Sequence, residues 1–303
     1  MISWICLVVT MKTIKGLIAE RIKSDRAIKS LRREDLVASV YAKYPELKKT
    51  DDELIDLREE RIFAAIEHDK ESIPLLDKRE EELKKYRDEF IKKNGIDPLF
   101  DDEKELCGKC HDTGFITLKN GSRAVCRDCM KEELNECFDS SGMGDFRSYT
   151  LKSFDFAYFG DAGKRKEVFS SVKEMFEDRP DRQLLKIYSG GTQTGKTYLS
   201  VVLAKYAIIE GKSAFYVKAE DLEERDLRYD EGVTDSDFLV IDDYSAAITG
   251  NRRIASSING ILESRCASGR ATLVVSSEPH DMLVGGSDVR IAGKLSKAGR
   301  ICG

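Results

Sequence analysis

Leu184-Leu185-Lys186-Ile187-Tyr188-Ser189-Gly190-Gly191-Thr192-Gln193-Thr194-Gly195-Lys196-Thr197-Tyr198 is the stretch from which the fold can be read. Residues 190–197 match the phosphate-loop pattern G-x-x-x-x-G-K-[ST] at every fixed position. At average residue usage such a match arises by chance in about one chain in a hundred of this length. Its surroundings sharpen it. An apolar run, Leu184–Tyr188, precedes the loop, and a helical pattern begins near Lys196. A strand, a glycine-rich turn and a helix N-terminus in that order aim backbone N–H groups at a phosphate. Lys196 would reach the β- and γ-phosphates, and the Thr197 hydroxyl would hold Mg²⁺. Gly190 through Tyr198 are therefore the expected ATP-binding residues. The competing reading is a glycine-rich turn that binds no nucleotide.

Downstream stands Phe238-Leu239-Val240-Ile241-Asp242-Asp243, with Asp242 46 residues after Lys196. Four apolar residues ending in two acids describe a buried strand that delivers carboxylates to its tip. This is the Walker B arrangement. Asp242 would bind Mg²⁺ directly or through water, and Asp243 would polarise the attacking water. Taken alone, such a run could be any strand end; the upstream loop gives it meaning. A further apolar run, Ala271–Ser276, leads into Ser277 and Glu278. Ser277 could sense the γ-phosphate, or simply end a strand.

The texture from residue 151 onward supports one domain around these motifs. Apolar runs at 184–189, 214–217, 238–241 and 272–276 alternate with helical patterns at 164–177, 196–210, 219–228 and 252–268. Buried strands alternating with helices predict an α/β domain with a mostly parallel sheet over 151–303. Phosphoryl chemistry needs an arginine against developing charge. Arg290 is the first candidate, with Arg252, Arg253 and Arg265 behind it; a surface charge is the plainer reading of each.

Upstream lies Cys107-x2-Cys110-x15-Cys126-x2-Cys129. Two tight pairs fit the spacing of a tetrahedral zinc site. The runs 115–118 and 122–125, joined by Asn120-Gly121, predict a hairpin with a two-residue turn. The expected object is a zinc ribbon over 107–130. Spacing and hairpin favour zinc over an iron–sulfur cluster. Incidental thiols or a redox pair are the bland alternative. Four cysteines leave no open position, which argues against catalytic zinc. His111, Cys137, Cys6, Cys266 and Cys302 fall outside the pattern. Residues 131–150 read as a linker with breakers at 140–145.

Residues 1–106 read as helical. Charged residues dominate, and apolar ones recur in three- and four-residue steps, as at Ile62, Ile66, Ile73 and Leu76. Thr50 and Glu53 have capping-box spacing and predict a helix start there. Asn94-Gly95 and Pro98 predict its end. A plain bundle and a partner-binding arm both fit. Residues 2–9 are apolar but lack a basic lead and a cleavage site, and they are far short of the ~20 residues that span a bilayer. Met11 is the expected start if 1–10 are untranslated; the alternative is a short buried or partner-facing segment. The expectation is a cytoplasmic protein without membrane contact.

Composition sets the outer bounds. The 303 residues suggest about two domains. Fifty basic against 55 acidic residues give a net charge of −5, which argues against a wholly basic nucleic-acid coat. Residues 251–303 depart from this, with six arginines and two lysines against four acids, a net of +4. That stretch could track single-stranded nucleic acid or face a neighbouring subunit's nucleotide. A mixed charged face is the plain alternative.

With these residues in hand, the chain resembles the bacterial and phage replicative helicase loaders of the DnaC/DnaI type, related to the IstB-like transposition helper ATPases. The order of helical arm, cysteine ribbon and phosphate-loop domain carries the resemblance. So do Cys110-His111-Asp112-Thr113-Gly114-Phe115, Tyr149-Thr150-Leu151-Lys152-Ser153-Phe154, the two Walker motifs and Arg265-x4-Arg270-Ala271-Thr272. It covers about residues 107–290. It implies an AAA+ ATPase core using ATP and Mg²⁺, and a helicase-contacting arm and ribbon. It also implies ATPase modules that engage one another, and delivery of a hexameric helicase onto single-stranded DNA in replication initiation. Ser277 stands where the family commonly has asparagine. Arg290 resembles the arginine-finger position, and Lys294 replaces a second arginine. A lid of ordinary AAA+ size is not expected. Two other functions fit the same residues: a transposition helper that binds DNA and recruits a transposase, and a zinc-ribbon adaptor whose phosphate-loop domain does not hydrolyse ATP.

Overall fold

The computed structural model describes residues 12–119, 121–150, 153, 162–176, 183–222 and 231–302. Expectations for 1–11, for Asn120, for Leu151, Lys152 and Phe154, and for 223–228 lie outside the described residues. The chain divides into two compact units, Arg21–Gly108 and Met1–Glu20 with Lys109–Gly303.

Helix α1 (Ile14–Lys43) begins in the larger unit and continues into the smaller, which also holds α2 (Pro45–Ile66) and α3 (Ser72–Asn94). Thr50 does not start a helix. Pro45 does, because its fixed φ and missing N–H suit the first helical turn. The Thr50 hydroxyl instead donates to the Glu46 carbonyl at 3.0 Å within α2. Gly95, at φ +63°, ends α3 as Asn94-Gly95 predicts. The core of this unit is small: Leu47, Ile91 and Phe100, with Val37, Tyr41 and Phe90 packed on it. Arg87 ties it together, donating to Asp51 at 2.7 Å and to Asp101 at 2.9 Å. Ile62 and Ile66 do not join a core. They are 60% and 67% exposed, beside Phe63 at 62% and Leu75 at 71%.

The larger unit is built on a parallel sheet. Its strands are β3 (Leu185–Ser189), β4 (Ala214–Lys218), β5 (Phe238–Asp242), β6 (Ala271–Ser276) and β7 (Gly299–Cys302), in the order β4-β5-β6-β3-β7. Every residue of β3, β5 and β6 is buried, which explains their continuous apolar reading. Helices α5 (Ala162–Lys173), α6 (Lys196–Ile209), α7 (Glu231–Asp235), α8 (Arg252–Ala267), α9 (His280–Gly286) and α10 (Val289–Leu295) accompany it. Ile187, Ile241 and Val274 pack with Ile258 and Leu262 of α8 and with Ile291 and Leu295 of α10. The fold class is as expected: a parallel sheet with helices, preceded by a helical region and a cysteine cluster.

Two local expectations need correction. The helix expected over 219–228 is, in its described part, a single turn at Glu220–Leu222. Strand β7 was not foreseen, because Gly299-Arg300-Ile301-Cys302 is neither apolar nor alternating enough to signal one.

A two-stranded hairpin, β1 (Phe115–Thr117) and β2 (Arg123–Val125), pairs antiparallel. The Leu118 N–H donates to Ser122 O at 2.8 Å and the Gly121 N–H to Leu118 O at 2.9 Å. Three residues therefore separate the paired ends rather than two. Gly121 at φ +82° takes the left-handed place that such a loop requires. Helix α4 (Lys131–Phe138) follows, and residues 139–146 continue as a kinked turn against β4. Among the described residues no helix is long and apolar enough to cross a membrane.

Candidate functional site

Strand β3 ends where the phosphate loop begins, and α6 starts at Lys196. Two backbone conformations shape the turn between them. Gly195 at φ +76° caps the helix in the left-handed region, and Gln193 adopts φ +60°. Glycine carries no Cβ penalty there. The loop, Asp242, Asp243, Ser276, Ser277 and Tyr149 enclose a cleft of about 680 Å³. Lys196 is 8% exposed. Its ammonium donates to Gly190 O at 3.1 Å, to Thr194 Oγ1 at 3.0 Å and to Gly191 O. Burial pulls its pKa down, against the opposing pull of the Asp242 and Asp243 charges. A buried cation, a helix N-terminus and free loop amides in one cleft suit a polyphosphate.

Strand β5 carries Asp242 to the same cleft at 1% exposure. Its Oδ1 accepts the Asp243 N–H at 2.8 Å, and its Oδ2 accepts the Tyr216 hydroxyl at 2.9 Å. Burial raises its pKa; hydrogen bonds from Thr197, the Asp243 amide and Tyr216 oppose that rise. The Thr197 hydroxyl and the Asp242 carboxylate are adjacent hard oxygen donors, a set that fits Mg²⁺. Asp243 sits at φ +52°, a left-handed conformation that aspartate tolerates better than most residues. Ser277, exposed at the end of β6, lines the cleft as well.

The arginines divide. Arg290, Arg252 and Arg253 are exposed and do not line this cleft. Arg265 is neither a surface charge nor a transition-state candidate. It is 0% exposed, and its guanidinium donates to Thr272 Oγ1 at 2.9 Å, Ala271 O at 2.6 Å and Val233 O at 2.9 Å. Its fork of donors knits α8 to β6 and to the end of α7. Lys294 donates to Asn259 Oδ1 at 2.7 Å.

Sequence reasoning missed three contributors. Tyr216 on β4 touches Asp242. Tyr149 stacks on Tyr198 with ring centroids 4.0 Å apart, at the side of the cleft. Arg300 on β7 shares a second hollow, of about 340 Å³, with Gly190, Gly191 and Ser277. Tyr216 and Arg300 belong to no motif, and the parallel strand order places them near the loop. Tyr149 opens the quoted Tyr149–Phe154 stretch, but nothing in that stretch signals its stacking on Tyr198.

The four expected cysteines come together. Their sulfurs lie within 4.8 Å of one another, and Cys110 Sγ and Cys129 Sγ are 3.5 Å apart. Four thiolates on a tetrahedral ion at Zn–S distances of about 2.3 Å stand about 3.8 Å apart, so the cluster is compatible with zinc. Positive φ at His111, Asp112 and Gly114 turns the first knuckle, and the Cys126 N–H donates to Gly114 O at 2.8 Å. His111 is not part of the cluster.

No family model matches the chain. Curated relatives do, and they carry the name that the sequence motifs suggest. The chain is 27% identical over 199 residues to the replicative helicase loader DnaC of Buchnera aphidicola subsp. Acyrthosiphon pisum, covering 61% of this chain and 77% of the relative. It is 27% identical over 197 residues to that of subsp. Baizongia pistaciae, covering 60% and 76%. Among solved structures, a DnaC helicase loader gives a TM-score of 0.39 at 14% identity, over 52% of this chain and 98% of that one. DnaI gives 0.40 at 18%, over 50% and 89%. AMPPCP-bound DnaA from Aquifex aeolicus gives 0.44 at 18% over 52% of this chain, and the match spans about half of that structure's length.

Proposed function

We propose that this chain is an ATP-dependent loader that binds a replicative DNA helicase and delivers it onto single-stranded DNA. The convergence of Lys196, Thr197, Asp242 and Asp243 on one cleft, in a chain whose curated relatives are named helicase loaders, carries the reading. Those names favour it over a transposition helper.

The loop amides of 190–195 and the α6 N-terminus bind the phosphates. Lys196 exchanges its loop carbonyls for β- and γ-phosphate oxygens. Thr197 and Asp242 hold Mg²⁺, which when bound neutralises charge on those oxygens. Asp243 polarises the attacking water. Ser277 senses the γ-phosphate. Arg290, exposed on α10, serves a neighbouring protomer's nucleotide when ATPase modules associate. A lone arginine finger with Lys294 behind it fits slow, partner-stimulated hydrolysis to ADP and phosphate, a switch rather than a motor.

The module boundaries follow the same reading: 1–106 arm, 107–130 zinc ribbon, 131–150 connector and 151–303 ATPase. The arm and ribbon engage the helicase, and the exposed Ile62, Phe63, Ile66 and Leu75 support a protein-binding role for the arm. The work is cytoplasmic. Capture of the cognate hexameric helicase with and without ATP tests the proposal. Retention by wild type and loss of ATP response in Lys196→Ala is the expected result. Loading that is intact in Lys196→Ala would overturn it.

A further inference from the structure

The segment after α4 is held against the ATPase sheet by contacts that converge on one tyrosine. Gly142, at φ +75°, brings its backbone so close to the Tyr216 carbonyl oxygen that a Cβ there would overlap it. Phe146 meets the Tyr216 ring edge-on, with centroids 5.1 Å apart and planes at 71°. Phe146 also packs on Tyr149 at 5.1 Å, and Tyr149 stacks on Tyr198 of α6.

Lys205 fixes the same segment from below. Its buried ammonium donates to Phe146 O at 2.5 Å, Tyr149 O at 3.2 Å and Arg147 O at 3.3 Å. The Thr150 N–H donates to the Tyr198 hydroxyl at 2.9 Å. Residues 142–150 thus form a strap with two anchors on the phosphate-loop helix and one on Tyr216.

Tyr216 is the link to chemistry. Its ring is buried, and its hydroxyl has one acceptor, the Asp242 carboxylate. The Asp243 amide holds the other oxygen of that carboxylate. The strap therefore reaches a proposed magnesium ligand through a single side chain.

We propose that Tyr216 is a positioning residue for the Asp242 carboxylate, and that Phe146 of the strap holds Tyr216 in place. Asp242 is thereby oriented by the segment that follows the cysteine ribbon. The inference rests on the nucleotide reading above and deepens it. It assigns the metal-binding geometry of the cleft to a contact outside both Walker motifs.

A hydrogen bond to an ionised carboxylate is stronger than one between neutral groups. Its loss should appear where Asp242 meets the ion and not where the loop meets phosphate. The test measures the affinity of the full chain for a fluorescent ATP analogue in Mg²⁺ and in EDTA. Tyr216→Phe keeps the ring and should cut the Mg²⁺-dependent gain in affinity about tenfold, with affinity in EDTA unchanged. Phe146→Leu should cut the gain less, and the double variant should lose no more than Tyr216→Phe alone.

Equal loss in Mg²⁺ and EDTA would mark a merely structural tyrosine and overturn the proposal. A Tyr216→Phe variant with the wild-type gain would also overturn it. Additive losses in the double variant would overturn the role of the strap. A wild type that binds no Mg²⁺-nucleotide would overturn the nucleotide reading itself, an outcome separable from the others because it needs no variant. Thermal unfolding of each variant, within a few degrees of wild type, keeps the comparison valid.

Discussion

Arg265 of α8 and Thr272 of β6 meet inside the core of the larger unit, Nε to Oγ1 at 2.9 Å, and both residues are buried. An arginine this deep is costly to bury, and hydrogen bonds from all three guanidinium nitrogens offset that cost. Its remaining partners are backbone carbonyls and the Ser236 hydroxyl. Arg265→Ala would orphan several buried acceptors, each costing about 1–3 kcal/mol. We expect a loss of at least about 3 kcal/mol, read as a lower urea midpoint with unchanged slope. A lysine at this position cannot reproduce the fork and should recover little of it. Arg290→Ala should change the stability by no more than about 0.5 kcal/mol, as for an exposed side chain.

Lys196→Ala removes the buried cation from the phosphate loop. Nucleotide affinity should fall at least a hundredfold in both Mg²⁺ and EDTA. Asp242→Asn should act differently: it should abolish the Mg²⁺-dependent part of binding and the hydrolysis, and leave EDTA affinity close to wild type. Titration of a fluorescent nucleotide separates the two patterns.

The cysteine cluster should carry about one zinc per chain by elemental analysis. Structural zinc contributes roughly 10–16 kcal/mol of apparent binding energy in small modules. Chelation, or Cys126→Ser, should therefore melt the ribbon and expose the hairpin β1–β2 to protease at sites that zinc-loaded protein protects. Iron with visible absorption in place of zinc would identify a cluster instead.

Phe63 and Ile66 are exposed on α2. Phe63→Ser with Ile66→Ser should shift the stability of the chain by less than about 1 kcal/mol, since neither side chain is buried. The same pair should reduce helicase capture at least tenfold. Capture unaffected by these changes would place the docking surface elsewhere.

That Lys196, Thr197 and Asp242 line one cleft, and that the four cysteines meet, was legible because fixed spacing is what such chemistry requires. The strands β3, β5 and β6 were legible because burial on both faces makes them apolar throughout. Strand β7 was hidden, since pairing on one side with β3 asks little of its four residues. Arg265 was misread because position in sequence does not report depth. Thr50 was misread because a capping-box pattern can also fall inside a helix, where the hydroxyl turns back to the carbonyl four residues earlier. Tyr216 was invisible: its contact with Asp242 comes from strand pairing, with Tyr216 opposite Val240 and Lys218 opposite Asp242.

Strand β4 stands at the border of the sheet, and its outer side is where Gly142 lies against Tyr216. Unpaired strand borders invite other chains to add on. Gly142, in a stretch that reads as a mere connector, thus lies along that border. A fragment cut at residue 151 would carry intact Walker motifs and a bare border. It would also lack Phe146 beside Tyr216, so its Mg²⁺-dependent nucleotide binding and its solubility should fall together.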